Sequence, residues 1–224
     1  EYSMPMVFEV QGAVDIAVVN RVCKQIIDRH EVLRSIYVEE GGRVTQLIQD
    51  RSDVVFEVSV EEMAHLTGET QSSKVRAQVK ADILQPFDLS KDLMVRVRYF
   101  RTSALSGVLL FNMHHIASDG WSMEVLSKEF FNLYQAYTQG KEGPLQALAI
   151  QYADYAHWQR TYLAGAVLEQ RLSYWERQLE NVPLVHGLPL SYPRPERKAY
   201  QGAAVSGHLS AEVAQRLQGL AKQH

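Results

Sequence analysis

The segment Phe111-Asn112-Met113-His114-His115-Ile116-Ala117-Ser118-Asp119-Gly120-Trp121-Ser122 sets two adjacent histidines, an aspartate and a glycine where an apolar run gives way to a helical pattern. Neighbouring residues of a strand point to opposite faces, so one histidine of such a pair can look into a cleft while the other looks into the protein. Histidine titrates near neutrality and can be oriented through its second ring nitrogen, which suits one of the two to acid/base work. At least one of the pair must be a buried histidine satisfied by hydrogen bonds. A metal centre needs three or four ligands, and diverging His114 and His115 leave at most one of them beside Asp119, so the ligand count argues against a metal.

No Gly-x-Ser-x-Gly elbow, phosphate loop or dinucleotide fingerprint is present. The single cysteine, Cys23, sits at an apolar position of a helical pattern, which excludes an internal disulfide and a multi-cysteine metal site and reads as a small buried hydrophobe. Covalent catalysis therefore lacks a good nucleophile. Direct transfer remains, with a histidine assisting a nucleophile that the substrate brings.

The elements that would hold this segment can be read from periodicity. Val108–Met113, apolar almost throughout, fits a central strand covered on both faces, and Leu93–Phe100 alternates as a half-buried strand joined to it by the polar loop 102–107. Ser122 is expected to cap a long helix that runs to about Gln139 and stops at Gly140. Upstream, Met6–Val10 reads as a strand, and Asp15 caps a helix whose apolar positions Ile16, Val19, Val22, Cys23, Ile26 and Ile27 fall at three- and four-residue steps. Strands at Leu33–Glu39 and Val44–Ile48 flank a Gly41-Gly42 hairpin turn, a further strand is expected at Val54–Val58, and a helix at Lys74–Leu84. Helices are expected near Tyr152–Leu163 and Val167–Leu179. Residues 188–195 hold three prolines and suit a linker, followed by a strand at Ala203–Leu209 and a helix capped by Ser210.

Composition bounds the function classes. With 224 residues, 46% apolar and 22% charged, the chain is expected to be globular, with one large domain or one domain plus part of another. A formal charge of −3 and the lack of any Lys/Arg run argue against nucleic acid as a partner. No apolar run of about 18 residues and no basic-then-apolar leader is present, so neither membrane nor secretion is indicated and a cytoplasmic setting follows by default. The opening at Glu1 and the close inside a helical pattern look like those of an excerpt.

Three segments in order carry a resemblance. Residues 113–122, MHHIASDGWS, are similar to the His-His-x-x-x-Asp-Gly core of the condensation domains of nonribosomal peptide synthetases, within the chloramphenicol acetyltransferase-like superfamily. Residues 29–37, RHEVLRSIY, resemble that family's Arg-His-Glu-x-Leu-Arg segment, and residues 152–158, YADYAHW, its Tyr-x-Asp-Phe-x-x-Trp segment, with Tyr155 in place of phenylalanine. The resemblance implies an α/β fold of acetyltransferase-like lobes, each a mixed sheet covered by helices. Residues 1–182 would form the N-terminal lobe with the His-His-x-x-x-Asp-Gly motif, 183–200 a linker, and 201–224 the start of a C-terminal lobe that continues beyond residue 224.

The resemblance also implies roles. His115, the second histidine, would face a tunnel in which the amine of a carrier-bound aminoacyl acceptor attacks the thioester of a carrier-bound donor, forming a peptide bond in secondary-metabolite synthesis. His115 would act as base or as hydrogen-bonding guide. His114 would be a buried brace, Asp119 would pair with an arginine, for which Arg34 is the candidate, and Gly120 would allow close approach or a positive φ. Trp121 reads as core, and Tyr152, Tyr155 and Trp158 as a packing stripe. No cofactor or metal is expected on the domain itself. The substrates would ride on phosphopantetheine arms of upstream donor and downstream acceptor carrier domains beside an adenylation domain. The alternatives are an epimerisation domain, a freestanding coenzyme A-dependent acyltransferase and a catalytically silent recruiting module.

Overall fold

The computed structural model describes residues 2–185, 187–193, 196–197 and 205–223. The chain divides into two compact units, Glu1–Glu180 and Asn181–His224. The first unit is built on a four-stranded sheet of β1 (Ser3–Gln11), β4 (Ser59–Glu62), β5 (Val95–Ser103) and β6 (Ser106–His114), in the order β1-β6-β5-β4. The β1/β6 and β5/β6 pairs are antiparallel and β4/β5 is parallel, so the sheet is mixed. A separate hairpin, β2 (Ser35–Glu40) with β3 (Arg43–Ile48), turns at Gly41 and Gly42, whose positive φ angles of 59° and 77° suit glycine.

Strand β6 is central and buried on both faces, as its apolar run requires. Its odd residues Leu109, Phe111 and Met113 enter the main core with Val95, Val97 and Tyr99 of β5. That core is closed by α1 (Ile16–Arg29) and α3 (Gly120–Thr138) through Val19, Val22, Ile26, Leu126, Phe130 and Leu133. On the opposite face Leu110 of β6 and Phe100 of β5 meet Met63 and Val75, the latter from α2 (Gly68–Leu84). The sheet is thus layered between α2 on one side and α1 with α3 on the other.

Helix α1 begins where the sequence places it: the Asp15 carboxylate accepts from the N–H groups of Ala17 at 2.9 Å and Val18 at 3.2 Å. Helix α3 begins earlier than expected. Its cap is Asp119, and Ser122 is the third residue of its first turn. The strand expected at Val54–Val58 is absent; Val54 and Val58 are buried in chain without regular secondary structure, and pairing with β5 starts only at Ser59. Leu33 and Arg34 lie in a 3₁₀ turn, Glu31–Arg34, before β2. Helix α2 starts six residues before the expected Lys74.

The aromatic stripe of α4 (Tyr152–Tyr162) does not pack into the core. Tyr152, Tyr155, Trp158 and Tyr162 are all exposed and touch one another along the helix, at ring centroid distances of 5.8, 5.7 and 5.3 Å. Helix α5 (Gly165–Gln178) completes the unit. In the second unit α6 (Ala211–Gln223) starts at Ser210, whose hydroxyl accepts from the Val213 N–H at 3.3 Å. The strand expected at Ala203–Leu209 falls partly outside the described residues, and 205–209 are not in a strand. The expected linker also falls partly outside them. No described helix is long and apolar enough to cross a membrane.

Candidate active site

The two histidines separate at the end of β6. Pairing of Ser3 with His114 carries the sheet to its last residue, and the backbone N–H groups of His114 and His115 donate to the carbonyls of Met94 and Tyr2, at 3.1 and 2.7 Å. Strand alternation turns His114 toward the α2 face, where its ring packs edge-on to Phe87 at 5.6 Å and beside Tyr2 at 5.9 Å. His114 Nδ1 accepts from the Ile116 N–H at 3.0 Å, which puts the ring proton of the neutral form on Nε2. Burial, then the charge of neighbouring His115, pushes its pKa down, so it is neutral at pH 7.

His115 is exposed, and its imidazole makes no hydrogen bond to any described residue. Between it and α3 the chain is folded tightly on His114, whose carbonyl accepts from the Ala117 N–H at 3.0 Å and from the buried Ser118 hydroxyl at 3.1 Å. Both contacts hold the loop from beneath. The sequence reading missed Ser118, a short polar residue inside a turn with nothing to mark its partner.

Asp119 closes the loop. Its Oδ1 accepts from the Ser122 N–H at 2.8 Å and the Ser122 hydroxyl at 2.6 Å, while its own N–H donates to Ser122 Oγ at 3.2 Å. This is a reciprocal capping box, and its signal in the sequence was the Asp-x-x-Ser spacing. The Ser122 hydroxyl and N–H, then the Trp121 N–H and His115, hold the Asp119 carboxyl below the usual carboxylate range.

Arg34, the candidate partner of Asp119, is directed elsewhere. It is buried, with its guanidinium donating to the Gln49 carbonyl and, at 3.2 Å, to Glu31 Oε1. The 3₁₀ turn aims it at the end of β3, and Asp119 satisfies its own need through Ser122. Gly120 is the first residue of α3 without a positive φ, so that explanation of the glycine falls; a Cβ there would meet open space. Trp121 is 78% exposed rather than core. Cys23 is buried, and burial pushes its thiol up to about 12, which removes it as a nucleophile.

A second network braces α3 from behind. Glu129, buried on the core side of α3, accepts from Arg29 Nε at 2.8 Å and pairs with His30 Nε2 at 2.7 Å. Burial raises its carboxyl pKa, but hydrogen bonds and charge from His30 and Arg29 outweigh that and leave it below its ordinary value. The same corner is tied to α4: the Gln151 side chain donates to the Arg29 carbonyl at 2.9 Å and accepts from the Glu31 N–H at 3.2 Å. So 29–31 and Gln151, the cap of the helix that carries 152–158, meet in space though far apart in sequence. An acidic residue on the apolar stripe of α3, three places after Leu126, was the readable sign of Glu129.

The comparisons with known proteins agree with this architecture. A family model described as "Condensation domain" matches residues 1–224. One of the linear gramicidin synthase proteins of Brevibacillus parabrevis is 37% identical over 220 residues, 98% of this chain and 4% of that protein. One of the plipastatin synthase proteins of Bacillus subtilis (strain 168) is 33% identical over 224 residues, 100% of this chain and 8% of that protein. The chain thus spans a small fraction of these relatives. Among solved structures, the X-domain from teicoplanin biosynthesis in complex with OxyB aligns at a TM-score of 0.75 and 25% identity, over 87% of this chain and 42% of that one. The starter condensation domain of rhizomide synthetase RzmA aligns at 0.71 and 18% identity, over 82% and 43%, a likeness of fold alone. These solved domains share the acetyltransferase-like α/β fold, and the chain belongs to the condensation domain family.

Proposed function

We propose that this chain forms the N-terminal lobe of a peptide-bond-forming condensation domain, with 1–182 as the lobe, 183–200 as a linker and 201–224 as the opening of the C-terminal lobe. The α-amine of a carrier-bound aminoacyl acceptor attacks the thioester carbonyl of a carrier-bound donor. The C–N bond forms as the C–S bond breaks, the amine gives up a proton, and the phosphopantetheine thiolate of the donor arm takes one. His115 acts on the amine, as acceptor of its proton or as a hydrogen-bonding guide. Proton transfer of this kind contributes about 10²- to 10⁴-fold, and positioning of the two arms about 7–11 kcal/mol. His114, Asp119, Gly120 and Arg34 serve the architecture of the site. The domain binds no cofactor of its own, and its partners are the donor and acceptor carrier domains, with an adenylation domain on the same synthetase.

One observation carries the reading: His115 presents an exposed imidazole, free of hydrogen bonds to described residues, from a loop pinned on both sides by the His114 contacts and the Asp119 cap. That is an acid/base group held on a rigid support. Mass spectrometry of the acceptor arm, after full-length protein meets a loaded donor and a loaded acceptor carrier, tests it. Peptidyl mass on the acceptor arm is the expected result. An inverted but unextended aminoacyl group, or partner binding without transfer, overturns it.

A further inference from the structure

A cavity of about 150 Å³ lies under the loop that carries His115, between the end of α1 and the first turns of α3. Ile26, Leu33, Met113, Ala117, Val125 and Leu126 make it apolar, and Trp121 stands at its edge, largely exposed. Two lining residues are polar, and both are engaged. His30 Nε2 is held on Glu129 at 2.7 Å, and the Ser122 hydroxyl is held by Asp119 at 2.6 Å. A polar or charged group entering here would lose water and gain little in return. An apolar cavity of this volume accepts a guest the size of benzene. Ala117, in its wall, follows His115 by two residues, so a wall of the cavity and the reacting histidine share one loop.

We propose that this cavity receives the side chain of one carrier-bound aminoacyl substrate while it reacts at His115, and selects compact uncharged side chains, from aliphatic to phenyl. The proposal rests on the peptide-bond reading above and adds a substrate class to it. Val125 sets the size limit, because it lines the cavity from the second turn of α3 and is only partly buried, so a larger side chain there fills the space.

The test uses full-length protein with donor and acceptor carriers loaded in turn with alanine, leucine, phenylalanine or aspartate. On one of the two carriers, kcat/KM for leucine or phenylalanine exceeds that for aspartate at least tenfold, and Val125→Phe lowers the phenylalanine-to-alanine ratio on that carrier at least tenfold. A hydrophobic pocket discriminates about 10- to 200-fold per methylene, which sets the scale. The carrier whose ratio moves identifies the donor or the acceptor as the source of the side chain. Ratios that stay unchanged on both carriers overturn the proposal while leaving the peptide-bond reading intact. Benzene binding, followed by NMR, provides an arm independent of activity: wild type binds it and Val125→Phe, with Val125→Leu as the milder filling, excludes it. Absence of any amide product with benzene still bound would sink the peptide-bond reading and keep the apolar site; failure of wild type to bind benzene overturns the site itself.

Discussion

His30 Nε2 lies 2.7 Å from Glu129 Oε2, and this contact fastens the end of α1 to the middle of α3, the helix that follows the His115 loop. Arg29 shares the same carboxylate at 2.8 Å, so a single buried acid satisfies two basic groups from the end of one helix. A charge taken out of water persists only where such partners surround it.

Removing that acid leaves Arg29 and His30 without their buried partner. Glu129→Ala is expected to destabilise the fold by about 3–5 kcal/mol, and Glu129→Gln by less, because the amide keeps its volume and part of the hydrogen bonding. The folded carboxyl sits below its ordinary value of 4.5, so its contribution is complete above that pH and is lost as pH falls through the lowered value. Urea melts from pH 3 to 7 check this: the stability of wild type should fall more steeply in acid than that of Glu129→Gln, and parallel curves would contradict the assignment.

His115→Ala is expected to slow amide formation by at least about 10²-fold and to leave the melting temperature unchanged. The side chain is exposed and holds nothing in place. Paired rate and melting measurements decide this, and a variant that loses stability along with activity would assign His115 to the scaffold.

Asp119→Ala should lower the melting temperature, whereas Asp119→Asn and Asp119→Ser, both good helix caps, should largely preserve it. The carboxyl lies below its ordinary 3.8, so the wild-type cap is complete above that pH and weakens as pH falls through the lowered value. Thermal melts of the three variants at neutral pH suffice. Equal loss in all three would show that the carboxylate does more than cap α3.

Arg34 and Asp119 have separate partners, Gln49 and Glu31 for the one and Ser122 for the other. Arg34→Ala should be destabilising, since it removes a buried guanidinium and leaves the Gln49 carbonyl and the Glu31 carboxylate without it. In a double-mutant cycle with Asp119→Ala the two effects should add. A clear coupling energy would restore an ion pair between them.

Much of the scaffold was legible because local chemistry specified it. Asp15 before an apolar three-and-four spacing dictates a capped helix, and Gly41-Gly42 between two alternating segments dictates a hairpin, whatever surrounds them. The unbroken apolar run of β6 could be stable only with both faces covered, and the helices on either side of the sheet cover it. Val54–Val58 misled for the converse reason: apolar spacing marks burial, but a strand also needs a partner, and β5 supplies one only from Ser59.

By itself the sequence determined the family, through three spaced motifs, and the division between the two histidines, through the two-residue period of a strand. Only the tertiary structure decided which groups each residue meets. Arg34 turns to Gln49, Asp119 to Ser122, and Glu129 to Arg29 and His30, because a side chain's partner depends on the direction its backbone is given by elements distant in the chain. The same holds for the cavity beneath the His115 loop, whose walls come from α1, the 3₁₀ turn after it, β6, the loop itself and α3, and exist only once these are packed together.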